Sequence, residues 1–89
     1  MILALDYDDT YTQDPQLWQV FIEQAQKRGH QVMCVTWRNP QEPVDLVLAS
    51  LVPVYYTSLK AKRQYMEQLE ISIHVWIDDN PYAILHNYP

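Results

Sequence analysis

The feature that most constrains the fold is a regular alternation between short apolar segments and amphipathic ones. Residues 1–5 and 31–36 are apolar runs of strand length, and residues 15–28 place apolar side chains at helical spacing behind Asp14 and Pro15. Short apolar runs bounded by turn signals are typical of buried strands, and Asp followed by Pro is a frequent helix start. The first part of the chain therefore predicts a strand, a helix and a second strand.

The same alternation continues through the rest of the chain. A short helix is expected after Pro43, and residues 52–56 are rich in β-formers and predict a third strand. A cap at residues 57–58 predicts a third helix through about residue 70, and residues 71–77 alternate apolar and polar side chains as an edge strand does. The side chains expected on the inner faces of these two helices are Val44, Val47, Leu48 and Leu51, and then Leu59, Lys62, Met66 and Leu69.

The order β-α-β-α-β-α-β predicts a parallel sheet with right-handed crossovers and helices on its faces, which is the α/β three-layer (α/β/α, Rossmannoid) architecture. A length of 89 residues suits one hydrophobic core, so we expect a single domain over residues 1–89. Residues 80–89 have room for one or two helical turns. A domain this small has a thin stability margin, and formation of a homo-oligomer would help it.

Composition excludes several classes of function. A formal net charge of −5 gives no general reason to expect binding to nucleic acid or to an anionic membrane surface. The longest apolar runs, Ile2–Leu5 and Val32–Val35, are far too short for a membrane span or a signal peptide. We therefore expect a soluble, cytoplasmic protein without membrane partners, in which the single Cys34 is a buried structural thiol.

Residues capable of chemistry fall where the predicted strands end. In chain order they are Asp6 and Asp8 after the first strand, Thr36 at the end of the second, Lys60 after the third, and Asp78 with Asp79 after the fourth. The carboxyl ends of parallel strands lie along one edge of the sheet, so these groups can meet in one site. Clustered carboxylates suit a hard cation such as Mg²⁺, whereas a hydroxyl and an ammonium suit phosphate oxygens.

These residues resemble the four motifs of the haloacid dehalogenase-like superfamily. The segment Asp6-Tyr7-Asp8-Asp9-Thr10 resembles its Asp-x-Asp-x-Thr first motif, Thr36 its Ser/Thr second motif, Lys60 its Lys/Arg third motif, and Ile77-Asp78-Asp79 its acidic fourth motif. The resemblance covers nearly the whole chain and implies the strand order 4-1-2-3. Since the segments after the first and third strands are too short to hold a cap domain, it implies a minimal, capless member.

The resemblance also implies a Mg²⁺-dependent phosphohydrolase, that is, a phosphatase acting on phosphoric monoesters. Asp6 would attack phosphorus and form an aspartyl-phosphate, and Asp8 would protonate the leaving oxygen and then activate water. Thr36 and Lys60 would hold the phosphoryl oxygens, with Lys62 as the alternative third-motif lysine.

The implied metal ligands are the carboxylates of Asp6 and Asp78 and the backbone carbonyl of Asp8, with Asp79 bound directly or through water. Thr10, Trp37 and Arg38 are the predicted substrate-binding residues, and the aromatic rings of Tyr7, Tyr11 and Trp37 could stack on a base. An open site of this kind would accept a nucleotide, another small phosphorylated molecule or the phosphorylated end of a polymer.

Two other functions share part of this pattern. A catalytically weak or inactive binding or regulatory module could keep the same fold and metal site, and it stays open as the alternative. A receiver-like phosphoacceptor also gathers carboxylates, Thr and Lys at strand ends, but its phosphorylated Asp follows the third strand. Here that strand ends in Tyr55-Tyr56-Thr57, so the receiver-like function is disfavoured.

Overall fold

A computed structural model describes residues 1–89 and contains a four-stranded, all-parallel sheet with helices between the strands. A single turn of 3-10 helix, Tyr11–Gln13, follows the first strand. In chain order the other elements are β1 (Ile2–Leu5), α1 (Pro15–Lys27), β2 (Gln31–Thr36), α2 (Leu46–Leu51), β3 (Val54–Tyr56), α3 (Lys62–Gln68), β4 (Val75–Ile77) and α4 (Tyr82–Leu85). None of the helices is long and apolar enough to cross a membrane.

The strand order places β1 in the interior of the sheet, next to β4. The order is β3-β2-β1-β4, which is 4-1-2-3 when read from the opposite edge. Leu5 at the end of β1 lies opposite Cys34 of β2 and Ile77 of β4. The residues that follow β1 and β4 therefore emerge side by side at the carboxyl edge, and the predicted α/β class with a parallel sheet is confirmed.

Helices cover both faces of the sheet. On one face, Ile22 of α1 and Leu48 of α2 belong to the same buried cluster as Leu3 and Leu5. On the other face, Met66 of α3 packs in a second cluster with side chains of β1 and β2. Alternate residues of the two inner strands thus contribute to two separate halves of the core, as strand geometry requires.

The third helix begins later than the sequence predicted. Ser58 and Leu59 have φ angles of +52° and +69°, in the left-handed region that an α-helix of L-residues does not contain. The Thr57 hydroxyl donates to the Lys60 carbonyl at 2.9 Å and closes a turn instead of capping a helix. The predicted cap at residues 57–58 is therefore wrong, and α3 starts only at Lys62.

The fourth strand is shorter than predicted but lies at the edge of the sheet as expected. Pairing covers Val75–Ile77 and not the whole of residues 71–77. The Ile2 N–H donates to Nδ1 of His74 at 2.8 Å, so a side chain takes the place of a main-chain acceptor just before β4. Ile71 and Ile73 still pack against the core cluster under α3, which explains their apolar character without a strand.

The second helix presents a narrower inner face than its spacing predicted. Leu48 is fully buried and Val44 is nearly so, whereas Val47 and Leu51 are 53% and 39% exposed. Asp45 caps the helix by accepting from the Leu48 N–H at 3.0 Å. The Asp45 cap and the burial of Leu48 are thus the main contacts that hold this six-residue helix in place.

We predict that Leu48→Ala lowers the free energy of unfolding by about 2–5 kcal/mol, because it removes a fully enclosed side chain and leaves a cavity. Leu46→Ala on the same helix is the matched control, since Leu46 is 86% exposed. Chemical denaturation of both variants measures the difference. Equal losses from the two substitutions would contradict the placement of α2.

Candidate active site

An acidic pocket opens at the carboxyl edge of the sheet, next to the ends of β1, β2 and β4. Its volume is about 210 Å³. It brings together six of the residues predicted from sequence and also Lys62, the predicted alternative to Lys60. The lining residues are Asp6, Asp8, Asp9, Thr36, Trp37, Lys62, Asp78, Asp79, Asn80 and Ala83.

A buried lysine joins the two acidic motifs. Lys62 Nζ lies 2.8 Å from Oδ1 of Asp6 and 2.6 Å from Oδ2 of Asp78, and its side chain is only 2% exposed. Burying a charged group is costly unless it is paired and hydrogen-bonded, and here each charge has a partner of opposite sign. The ammonium group therefore holds β1, β4 and α3 together at the site.

The sequence prediction placed Lys60 in the site, but the structure places Lys62 there. The Lys60 side chain is exposed and does not line the acidic pocket. Its carbonyl accepts hydrogen bonds from Trp37 Nε1 and Thr57 Oγ1, both at 2.9 Å, so its role is in the turn. The late start of α3 is the physical reason. Lys62 is the first residue of that helix, and its side chain lines the pocket at the ends of the strands.

Two C-terminal residues that sequence reasoning missed support the same turn. Asn87 Oδ1 accepts from the Ala61 N–H at 2.7 Å, directly before Lys62. The Tyr88 N–H donates to the Leu59 carbonyl at 2.8 Å, and the Tyr88 ring packs edge-on against Trp37 with centroids 5.5 Å apart. No local pattern in the sequence indicates these contacts, since the partners lie 26 or more residues apart.

Thr10 connects the acidic motifs from behind and does not line the pocket. Its hydroxyl lies 3.0 Å from Asp6 Oδ2 and 3.2 Å from Asp79 Oδ1, and it accepts from the Asp79 N–H at 3.3 Å. Trp18 Nε1 donates to the Thr10 carbonyl at 3.0 Å. The structure therefore places Thr10 as a support for the carboxylates, and its predicted contact with substrate stays a prediction.

Asp8 forms a two-point ion pair with Arg38. Arg38 Nε and Nη2 lie 2.9 Å and 2.8 Å from the two carboxylate oxygens of Asp8. The hydrogen bonds from Arg38 lower the pKa of Asp8, and the same pairing raises the pKa of Arg38. In this arrangement Asp8 is ionised and both of its oxygens are engaged.

Thr36 and Trp37 form the wall of the pocket on the β2 side. Thr36 is 1% exposed, and its Oγ1 accepts from the Arg38 N–H at 3.2 Å. Since a hydroxyl both accepts and donates, the Thr36 proton remains free to be donated into the pocket. The Trp37 indole N–H is occupied by the Lys60 carbonyl, so Trp37 offers its ring rather than a donor.

Tyr7 and Tyr11 are core residues and not a platform for a base. Both are buried, and their rings stack with centroids 5.7 Å apart. The Tyr7 hydroxyl accepts from the Asp45 N–H at 3.1 Å, ahead of α2. Their place beside the first motif reflects packing under the site.

Burial dominates the electrostatics of Asp6. Desolvation raises its pKa to about 7, against the attraction of Lys62, which lowers it. The hydrogen bond with Asp79 and the charge of Asp78 raise it further. The ionised form of Asp6 is therefore costly unless more positive charge is brought into the pocket.

Three carboxylates are arranged so that one cation could contact them all. Asp6, Asp78 and Asp79 can each offer an oxygen within 4.8 Å of the others. Carboxylate oxygens with room for water are the donors that Mg²⁺ prefers, so the donor set fits this ion. The Asp8 side chain is turned towards Arg38 and is not part of this group.

Comparison with models of known protein families, with curated proteins and with solved structures found no match for this chain. The functional interpretation therefore depends on the chemistry of the site itself.

We predict that Lys62→Met lowers the free energy of unfolding by about 3–5 kcal/mol in the absence of divalent cations, because it leaves two buried carboxylates without their partner. Lys60→Met is the matched control two residues away and should have little effect, since that side chain is exposed. Urea denaturation in the presence of a chelator measures both. A larger loss from Lys60→Met would contradict the assignment.

We also predict that Mg²⁺ raises the melting temperature more at pH 8 than at pH 5. The folded-state pKa of Asp6, about 7, lies above its ordinary value of 3.8, so ionisation of Asp6 costs stability as the pH rises through this window. A bound cation removes that cost, and it competes with a proton at lower pH. Thermal unfolding with and without Mg²⁺ measures the shift, and Asp6→Asn should abolish its pH dependence. An equal Mg²⁺ shift at both pH values in the unsubstituted protein would count against this linkage.

Proposed function

We propose that this chain is a minimal, capless phosphatase of the haloacid dehalogenase-like superfamily, which hydrolyses phosphomonoesters with Mg²⁺ through an aspartyl-phosphate on Asp6. The observation that carries the proposal is the grouping of Asp6, Lys62 and the Asp78-Asp79 pair in one pocket at the carboxyl edge of a parallel sheet. A structural ion pair alone does not need this many carboxylates around one lysine.

The carboxylates of Asp6, Asp78 and Asp79 would hold the metal ion. When bound, Mg²⁺ would offset the negative charge of these groups and of the substrate phosphate. Asp6 is the attacking residue because it follows β1, in the interior of the sheet, and lines the pocket. Thr10 fixes one of its oxygens from behind at 3.0 Å.

Lys62 and Thr36 support the reaction from either side of Asp6. The ammonium group of Lys62 favours the ionised, nucleophilic form of Asp6 and would lie close to an incoming phosphoryl group. The free proton of the Thr36 hydroxyl would be donated to a phosphoryl oxygen. Both groups would stabilise charge that develops on those oxygens in the transition state.

In the first step an Asp6 oxygen forms a bond to phosphorus and the ester oxygen leaves. Asp8 would give a proton to that oxygen, and would then take one from the water that cleaves the aspartyl-phosphate. The cycle returns both aspartates to their starting forms and releases inorganic phosphate and an alcohol. Asp8 can take part only after Arg38 releases it and the carboxylate has taken up a proton from water, which it then gives to the leaving oxygen.

The pocket is reached without passing a lid. The connection from β1 to α1 spans residues 6–14, with a single 3-10 turn, and the connection from β3 to α3 is a five-residue turn. Neither is long enough to form a cap domain. An open pocket with the Trp37 ring in its wall suits a nucleotide or the phosphorylated end of a polymer.

We predict Mg²⁺-dependent release of phosphate from a chromogenic phosphate ester and from nucleoside monophosphates. Asp6→Asn should reduce kcat by about 10³-fold or more, as loss of a nucleophile does in other enzymes. Glu70→Gln, an exposed acidic residue distant from the pocket lining, is the matched control and should retain activity. Phosphate release with and without a chelator is the measurement.

A binding experiment separates this proposal from a non-catalytic module with the same fold. Beryllofluoride with Mg²⁺ should raise the melting temperature of the unsubstituted protein and not that of Asp6→Asn, since ligands that bind only the folded state stabilise it. If no substrate gives Asp6-dependent turnover and beryllofluoride has no effect, the phosphatase proposal is wrong and the binding module is favoured.

A further inference from the structure

The ion pair between Arg38 and Asp8 blocks the group that the proposed reaction needs as a proton donor. The planar guanidinium contacts both Asp8 oxygens, at 2.9 Å and 2.8 Å. Each oxygen keeps a second lone pair, but the two-point contact fixes the orientation of the Asp8 carboxyl towards Arg38, so the carboxyl must leave this contact before it can turn towards a leaving group. The described conformation is therefore a resting one, from which Arg38 has to withdraw.

Arg38 is placed so that it can change partners. Its side chain is 31% exposed, and that of Asp8 is 52% exposed, so neither is enclosed by the core. The other side-chain contacts of Arg38 are a 3.3 Å hydrogen bond to the Glu42 carbonyl and the face of the Tyr7 ring, 4.9 Å away. An exposed pair contributes little to stability, so its exchange for another partner costs little.

A second cavity lies beside the acidic pocket and shares two wall residues with it. Its volume is about 280 Å³. The lining residues are Asp8, Trp37, Arg38, Asn39, Glu42, Ser58 and Leu59. Arg38 is the only cationic side chain among them, and two carboxylates line the same cavity, so Arg38 is the one charged group there that attracts an anion.

The planar fork that holds a carboxylate also holds a phosphate in a two-point contact. An anionic group that replaces Asp8 on Arg38 would release the Asp8 oxygens at the boundary between the two cavities. The scissile phosphate occupies the acidic pocket during the reaction. The anionic group that replaces Asp8 on Arg38 is therefore a second group carried by the same substrate molecule.

We propose that Arg38 is a specificity-determining residue that selects phosphomonoesters carrying a second phosphate or phosphodiester group. The second group binds Arg38 in the neighbouring cavity, and its binding frees Asp8 for the reaction. The inference rests on the proposed phosphatase function and deepens it by defining the substrate class. Two sources share this chemistry: small bisphosphates and the phosphorylated end of an oligonucleotide.

The test compares matched substrates with one and with two anionic groups. Thymidine 3′-phosphate is compared with thymidine 3′,5′-bisphosphate and with a 3′-phosphorylated thymidine dinucleotide, which separates the two sources. Glucose 1-phosphate and glucose 1,6-bisphosphate show whether a base is needed. The values of kcat and KM are measured for the unsubstituted protein and for Arg38→Ala, Arg38→Lys and the control Arg63→Ala, which alters an exposed arginine of α3.

We expect kcat/KM to be about tenfold to a hundredfold higher with the second anionic group, the size of one charge-assisted interaction. Arg38→Ala should bring this ratio close to one and raise kcat for the monoester, because Asp8 is no longer held. Arg38→Lys, which keeps the charge without the fork, should give an intermediate ratio. Arg63→Ala should keep the full ratio.

Three results would overturn the inference while the phosphatase function stands: a ratio near one in the unsubstituted protein, a ratio preserved in Arg38→Ala, or a monoester kcat that does not rise in that variant. A fall in that kcat would mean that Arg38 serves the chemistry itself. If Arg38→Ala does not fold, an unchanged ratio in Arg38→Lys overturns it equally. If the unsubstituted protein turns over no substrate faster than Asp6→Asn does, the phosphatase function is rejected, and the inference with it.

Discussion

The contact on which the site depends is the buried ammonium group of Lys62 between Asp6 and Asp78. Parallel pairing of β1 with β4 forces the acidic residues that follow them into close proximity. Without a cation between them, two such carboxylates in a buried setting repel each other and take up protons. Lys62 makes this arrangement stable, and in the function we propose it also sets the charge that a substrate phosphate would meet.

Charge balance connects the two cavities. The acidic pocket is lined by five aspartates and one lysine, and Arg38 neutralises one of those aspartates from the neighbouring cavity. The remaining excess of negative charge accounts for the fit of a divalent cation to the carboxylate cluster, and it adds to the rise that burial causes in the pKa of Asp6. In the function we propose, the two cationic side chains have different roles. Lys62 stabilises the reacting phosphoryl group, and Arg38 binds the second anionic group of the substrate.

The choice between Lys60 and Lys62 could not be made from the sequence. Helical spacing placed Lys62 on the inner face of α3, but the position of the helix start depended on the turn before it. That turn contains Ser58 and Leu59 in left-handed conformations and is held by Trp37, Asn87 and Tyr88, which are distant in sequence. Residues other than glycine rarely adopt a positive φ, so the sequence around Ser58 and Leu59 does not indicate this turn. Lys60 was therefore the natural prediction from order alone.

By itself, the sequence determined the alternation of strands and helices, the parallel sheet, and the arrival of Asp6, Thr36 and the Asp78-Asp79 pair at one edge. These follow from hydrophobic periodicity and chain direction, which are local properties. Only the tertiary structure decided that Lys62 enters the pocket, that Thr10 supports the carboxylates from behind, and that Arg38 holds Asp8. Apart from the contact between Thr10 and Asp6, those outcomes depend on side chains that meet across 16 to 69 residues of sequence, where the balance of burial and charge, and not local pattern, selects the partner.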